Sequence, residues 1–154
     1  MQTLEAILTE HPFFEGLEPR YMQLITGCAS NVRYKSGESL FREGESAEHF
    51  YLIRGGKVAL ETHGAQRGKI IIETIEVGEV LGWSWLFPPY RWHFDARALS
   101  TVRATAFDGA CLRTKCLEQP ELGYELMSRF AQVLMERLQW TRLRLLDVYG
   151  DGRS

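Results

Sequence analysis

At 154 residues, with a formal net charge of −2 and 25% charged residues, the chain is sized for one domain with a real core. Its charge balance gives no bulk electrostatic pull toward nucleic acid, and no apolar run approaches the roughly eighteen residues of a membrane span. Met1-Gln2-Thr3-Leu4-Glu5 is not a secretory leader, and an odd set of cysteines (Cys28, Cys111, Cys116) without CxxC spacing argues against both a disulfide framework and a zinc or iron–sulfur site, so a cytoplasmic protein without membrane attachment is expected.

The chain opens with a short amphipathic helix from Thr3 to Leu8, with Leu4, Ile7 and Leu8 on one face. His11-Pro12-Phe13-Phe14-Glu15-Gly16-Leu17 reads as a turn carrying two buried rings. Pro19 sits at the first turn of a second helix that points Met22, Ile25 and Cys28 inward. From Asn31 the periodicity changes to short β-rich runs: Val32–Tyr34, Ser39–Phe41, Phe50–Ile53, Val58–Leu60 and Ile70–Ile75. Glycine turns at Lys35–Glu38, Arg42–Glu45, Arg54–Lys57 and Gly64–Gly68 separate them, a spacing that predicts an antiparallel roll or barrel. Ala96–Leu99 and Val102–Phe107 supply its closing strands.

Between these strands lies Gly78-Glu79-Val80-Leu81-Gly82-Trp83-Ser84-Trp85-Leu86-Phe87-Pro88-Pro89-Tyr90-Arg91-Trp92-His93, which holds three of the four tryptophans, two adjacent prolines and Arg91. Gly82–Phe87 forms one helical turn that Pro88-Pro89 ends, and the unpaired N–H groups at its start suit an anion. The other reading is an aromatic connection that plugs the mouth of the fold. Gly82, Trp83, Ser84, Trp85, Arg91, Trp92 and His93 are the candidate ligand-binding residues: an anionic or planar ligand would take the turn's donors, the tryptophan faces, and Arg91 and His93 as polar contacts.

From Glu121 to about Val148 the period is helical again. Met127, Ala131, Leu134, Leu138, Thr141, Leu145 and Val148 form a heptad stripe, and Leu126, Phe130, Val133 and Trp140 a second apolar face. One face covers the roll; the other predicts a homodimer through the same helix of a second copy. Arg129, Arg137, Arg142 and Arg144 read as that helix's solvated face. The organisation is residues 1–120 as N-terminal helices and roll, 121–149 as dimerisation helix, and 150–154 as a tail too short for a helix-turn-helix, so no DNA binding is expected and the output would pass to another protein.

This order resembles the cyclic nucleotide-binding domain of the catabolite-activator and kinase regulatory-subunit type. Phe14–Leu17 is similar to that family's opening helix-turn, Tyr34–Glu45 and Phe50–Val58 to its glycine-turn hairpins, and Val77–Gly82 to the approach to its phosphate-binding cassette. The resemblance implies a mainly β fold with flanking helices: a double-stranded β-helix, jelly-roll-like, followed by a long C-terminal helix. It also implies a regulatory module rather than an enzyme. In the family a glutamate after the cassette glycine binds the ribose, and an arginine further on pairs with the cyclic phosphate. An ungapped alignment places Trp83 at the glutamate, Trp92 at the arginine and His93 at the small residue that follows it. Cyclic AMP binding in the usual manner is therefore not expected. Two outcomes stay open: a sensor remodelled for another small anionic ligand, and a structural interaction module whose pocket the tryptophans fill. A third class, a cupin-like metal enzyme, would need clustered histidines, whereas His11, His49, His63 and His93 are scattered and no metal or cofactor is expected. Ser84 lacks the GxSxG context of a nucleophile.

Overall fold

A computed structural model describes residues 3–64 and 68–151; residues 65–67 of the expected Gly64–Gly68 turn and 152–154 of the expected tail lie outside the described residues. Helix α1 (Leu4–Thr9) starts where the Thr3 hydroxyl accepts from the Ala6 N–H at 3.1 Å. A 3₁₀ turn, Pro12–Phe14, and α2 (Pro19–Thr26) follow, with Phe13, Phe14, Met22 and Ile25 buried as expected. Strands β1 (Ala29–Tyr34), β2 (Ser39–Phe41), β3 (His49–Gly55), β4 (Val58–Gly64), β5 (Gly68–Ile75), β6 (Val80–Leu81), β7 (Asp95–Ala98) and β8 (Val102–Asp108) build two antiparallel sheets. Their orders are β1-β8-β3-β6 and β2-β7-β4-β5. The fold is the expected β-roll.

Strand β3 is buried on both faces. Its side chains alternate between two cores, as the two-residue period of a strand requires. Phe50 and Leu52 face a cluster with Phe13, Phe14, Met22, Phe107, Leu122, Leu126 and Phe130; Tyr51 and Ile53 face the roll interior with Phe41, Val58, Leu60, Ile75, Trp92 and Val102. The first core joins the helices to the roll, and the second fills the roll itself.

Two helices follow β8, where one was expected. Helix α3 (Gly109–Glu118) is capped by Asp108, whose carboxylate accepts from the Cys111 N–H at 2.9 Å. Pro120 then opens α4 (Pro120–Asp151), whose 32 residues span about 48 Å at 1.5 Å per residue. Its helix continues to Asp151, through the start of the expected 150–154 tail. Leu122, Leu126 and Phe130 are buried against the first core. Trp140, expected on that face, is 66% exposed, because by that point α4 has run past the core.

The disulfide reading from cysteine spacing is overturned. Cys28, just beyond α2, is bonded to Cys111 in the first turn of α3, 83 residues away. The β1–β8 ladder is the cause. It pairs Ala29 with Phe107 and lets the Asp108 N–H donate to the Cys28 carbonyl at 2.9 Å, so the two strand ends bring the sulfurs together. Such long-range register leaves no trace in local spacing. Because the bridge closes a long loop, reduction with dithiothreitol is expected to lower stability by about 2–4 kcal/mol. A urea titration of oxidised against reduced protein measures it, and identical midpoints would show that the bridge carries no stability.

Candidate ligand-binding site

The stretch singled out in the sequence folds between β6 and β7, but it does not form one pocket. Gly82 adopts φ +97°, a conformation that side chains disfavour, and a Cβ added there would stand 2.7 Å from the Trp92 ring. Glycine is thus required twice, by the backbone and by the ring lying on it. The expected helical turn is a three-residue 3₁₀ turn, Ser84–Leu86, too short to present an organised N-terminal anion site.

The tryptophans separate. Trp85 is fully buried in the first core, 5.3 Å from the Phe50 ring and 5.6 Å from Phe130. Ser84 beside it is also buried, and its hydroxyl has no partner among the described residues. Trp92 turns the other way, into the roll, where it stacks on Phe41 with centroids 3.6 Å apart and an interplanar angle of 8°. Its backbone is stitched to the β2–β3 turn, the Trp92 N–H donating to the Glu45 carbonyl at 3.0 Å and the Gly44 N–H to the Trp92 carbonyl at 2.9 Å. Trp83 is half-buried, edge-on to Phe94 at 5.9 Å.

The expected polar contacts are also elsewhere. Arg91 is exposed and donates to the Gly44 carbonyl at 2.8 Å; His93 is exposed. Arg97, on β7 just beyond this stretch, makes a bidentate pair with Glu61 at 2.9 and 3.0 Å. Those hydrogen bonds hold the Glu61 carboxyl below its ordinary range despite its burial. A cavity of about 310 Å³ remains beside Trp92, lined by Phe41, Tyr51, His49, Glu45 and Glu48 among others. Its carboxylates make it a poor host for a phosphate.

Arginines that the sequence reading did not assign to this region hold it together. Arg113 of α3 lies over the Tyr90 ring at 4.4 Å and donates to the Trp85 carbonyl. Arg137 of α4, expected on a solvated face, has a side chain only 13% exposed. Its guanidinium lies 5.0 Å from the Trp83 ring, donates to the Val80 carbonyl, and approaches Glu73 at 3.8 Å. Desolvation holds its pKa below the ordinary arginine value. Arg129 is likewise turned inward, donating to the Phe13 carbonyl at 2.7 Å. A recurring arginine on an amphipathic helix carries no sequence mark of which way it turns.

The expected dimer stripe is uncovered in the single chain. Met127 is 44% exposed, Leu138 60% and Leu145 52%; Ala131 and Thr141 are exposed and Leu134 is half-buried, while the Val148 side chain lies outside the described residues. Among the described residues no three His, Cys, Asp or Glu side chains gather as a metal site, and no helix is long and apolar enough to cross a membrane.

Comparison with known proteins places these features. The cyclic nucleotide-binding domain description matches residues 31–119. A CRP-like cAMP-activated global transcriptional regulator of Mycobacterium tuberculosis is 26% identical over 145 residues, which cover 94% of this chain and 63% of that protein. A cAMP-dependent protein kinase regulatory subunit of Schizosaccharomyces pombe is 30% identical over 104 residues, 68% of this chain and 24% of that one. The solved structure of a chain from Geobacter metallireducens, named as a candidate cyclic nucleotide-binding protein, superposes with a TM-score of 0.80 at 26% identity, covering 89% of this chain and 99% of that one. The chain thus spans less than two thirds of the curated relatives it matches, and over the matched region, with a roll, a cassette and a long following helix in place, it belongs to the cyclic nucleotide-binding domain family.

Proposed function

We propose that this chain is a non-catalytic sensor and dimerisation module of a regulatory protein, and that its roll does not hold a cyclic nucleotide in the family's manner. One observation carries the second half: the Trp92 indole, at the position aligned with the phosphate arginine, stacks on Phe41 inside the roll and leans on Gly82. A buried cyclic phosphate needs charge-assisted donors, and an indole offers a single N–H. Trp83 at the ribose position offers no acceptor. Of the two outcomes left open by the sequence, this arrangement favours the filled roll over a remodelled one. The regulatory half rests on the matched relatives, a transcriptional regulator and a kinase regulatory subunit.

The dimer is the other part of the proposal. An apolar stripe with Leu138 60% exposed and Leu145 52% exposed, on a helix running past its own core, suits a second copy of the same helix. Signals would leave through α4 to a partner protein, and the chain's charge balance gives it no bulk attraction to DNA.

Titration calorimetry with cyclic AMP is expected to give no binding at micromolar concentration. Trp92→Ala should cost about 3–5 kcal/mol of stability by emptying a packed site, and should still give no cyclic AMP binding, because no cation replaces the ring. Micromolar affinity in the parent chain would overturn the filled-roll reading. Separately, Leu138→Glu places a charge in the proposed seam and is expected to convert dimers to monomers in light scattering with the melting of the roll little changed. An unchanged dimer would remove the proposed interface.

A further inference from the structure

A second cavity, of about 350 Å³, lies outside the roll, between α4, the β5–β6 turn and the Pro12–Phe14 turn. It is unrelated to the cassette interior and falls in the size range of small-molecule sites. Three features distinguish its walls. Arg129 and Arg137 both line it, and each has a buried guanidinium nitrogen without a hydrogen-bond partner among the described residues: Nε of Arg129 and Nη1 of Arg137. Those two nitrogens are themselves out of reach of the cleft, but the side chains keep 19% and 13% exposure, so each guanidinium still presents positive charge to it. Glu73, Glu79 and Glu136 line the same cleft, leaving one formal negative charge in excess. Phe13, Val133 and Trp140 supply an apolar wall, with Trp140 66% exposed.

This mixture selects the ligand. A simple anion would meet the arginines but also three carboxylates; a simple amine would meet the carboxylates but also two guanidinium cations. We infer that the cleft binds a small zwitterion of the α-amino acid class, with its carboxylate on Arg129 and Arg137, its ammonium on the glutamates, and its apolar side chain against Phe13, Val133 and Trp140. The placement also gives binding an outlet. Arg129, Val133, Glu136, Arg137 and Trp140 follow one face of α4 at helical spacing, apart from the Met127–Leu138 stripe. Arg137 also contacts Trp83 and the Val80 carbonyl, so a carboxylate drawing its guanidinium would pull on both the cassette turn and α4. The inference deepens the sensor reading by supplying its ligand, and it rests on that reading for its consequence alone.

The test uses the full chain with L-phenylalanine, and L-leucine as a second probe. Calorimetry and thermal melting are expected to show saturable binding and a concentration-dependent rise in Tm. Phenylacetate, which lacks the ammonium, and 2-phenylethylamine, which lacks the carboxylate, should bind about tenfold or more weakly. Glu136→Gln and Trp140→Ala alter exposed side chains and leave the core intact; each should weaken L-phenylalanine binding several-fold with the ligand-free Tm unchanged. Absence of binding by both amino acids at millimolar concentration would overturn the inference. So would phenylacetate or the amine binding as tightly as phenylalanine, or binding indifferent to both substitutions. These outcomes are separable from the sensor reading: a dimer that binds neither cyclic AMP nor amino acids removes the cleft alone, whereas cyclic AMP binding in the roll removes the filled-roll reading alone.

Discussion

The requirement that β3 be buried on both faces organises the molecule, and the Phe50 ring is where that requirement is concentrated. Phe50 stacks on Phe107 at 4.5 Å and on Trp85 at 5.3 Å, and it meets the edges of Phe13 at 6.1 Å and Phe130 at 5.0 Å. One side chain thereby joins the N-terminal turn, the closing strand, the cassette turn and α4. Interiors packed to crystal-like density do not deform by degrees, so Trp85 cannot be displaced without either moving Phe130 or opening a void beside Phe50. Packing is therefore continuous from the cassette turn to α4 through these rings. The other face of the same strand, through Tyr51 and Ile53, supports the interior into which Trp92 packs, beside the 310 Å³ cavity.

Much of this was legible in the sequence, because the fold is written in periodicity and glycine placement. The switch from helical to two-residue spacing at Asn31 marks where the roll starts, and the return to helical spacing marks α4. Gly82 and Trp92 were both visible as unusual choices; that one lies against the other was not, since the contact depends on how the loop folds back onto the β2–β3 turn. The Cys28–Cys111 bridge escaped for the same reason, being set by the register of β1 on β8. Helix α3 escaped for a different one: with Leu112 fully buried but Leu117 83% exposed, it has no sustained apolar stripe to signal it. Trp140 and the two inward arginines show the converse error, in which helical spacing identifies a face but not how far along the helix that face is covered.

Charge is distributed so that the roll and its helix meet through arginines rather than through apolar contact alone. Arg113 holds the cassette loop to α3, Arg129 holds α4 to the N-terminal turn, and Arg137 holds α4 to β6 and Trp83. Each is a long side chain bonded to a main-chain carbonyl. Such bonds fix position without requiring a partner charge, and they exchange more readily than a packed ring would. The Arg97–Glu61 pair contrasts with them: it is bidentate, paired with a 3%-exposed carboxylate, and it lies across β4 and β7 within one sheet. That pair stiffens the roll, while the other three join the roll and its flanking segments to one another.

The consequence is a division between a rigid half and an adjustable half. In the roll, aromatic stacking and the internal ion pair leave little that a small ligand could rearrange at modest cost. Along α4, burial ends at Phe130, and beyond it the helix is held to the roll by polar contacts of Arg137 and Arg144, the latter reaching the Ile72 carbonyl at 3.3 Å. A ligand shifts an equilibrium only through contacts that differ between its two states, and those contacts are concentrated along the helix. The exposed heptad stripe starts at Met127 on the same helix, so anything that changes how α4 lies on the roll also moves that apolar surface.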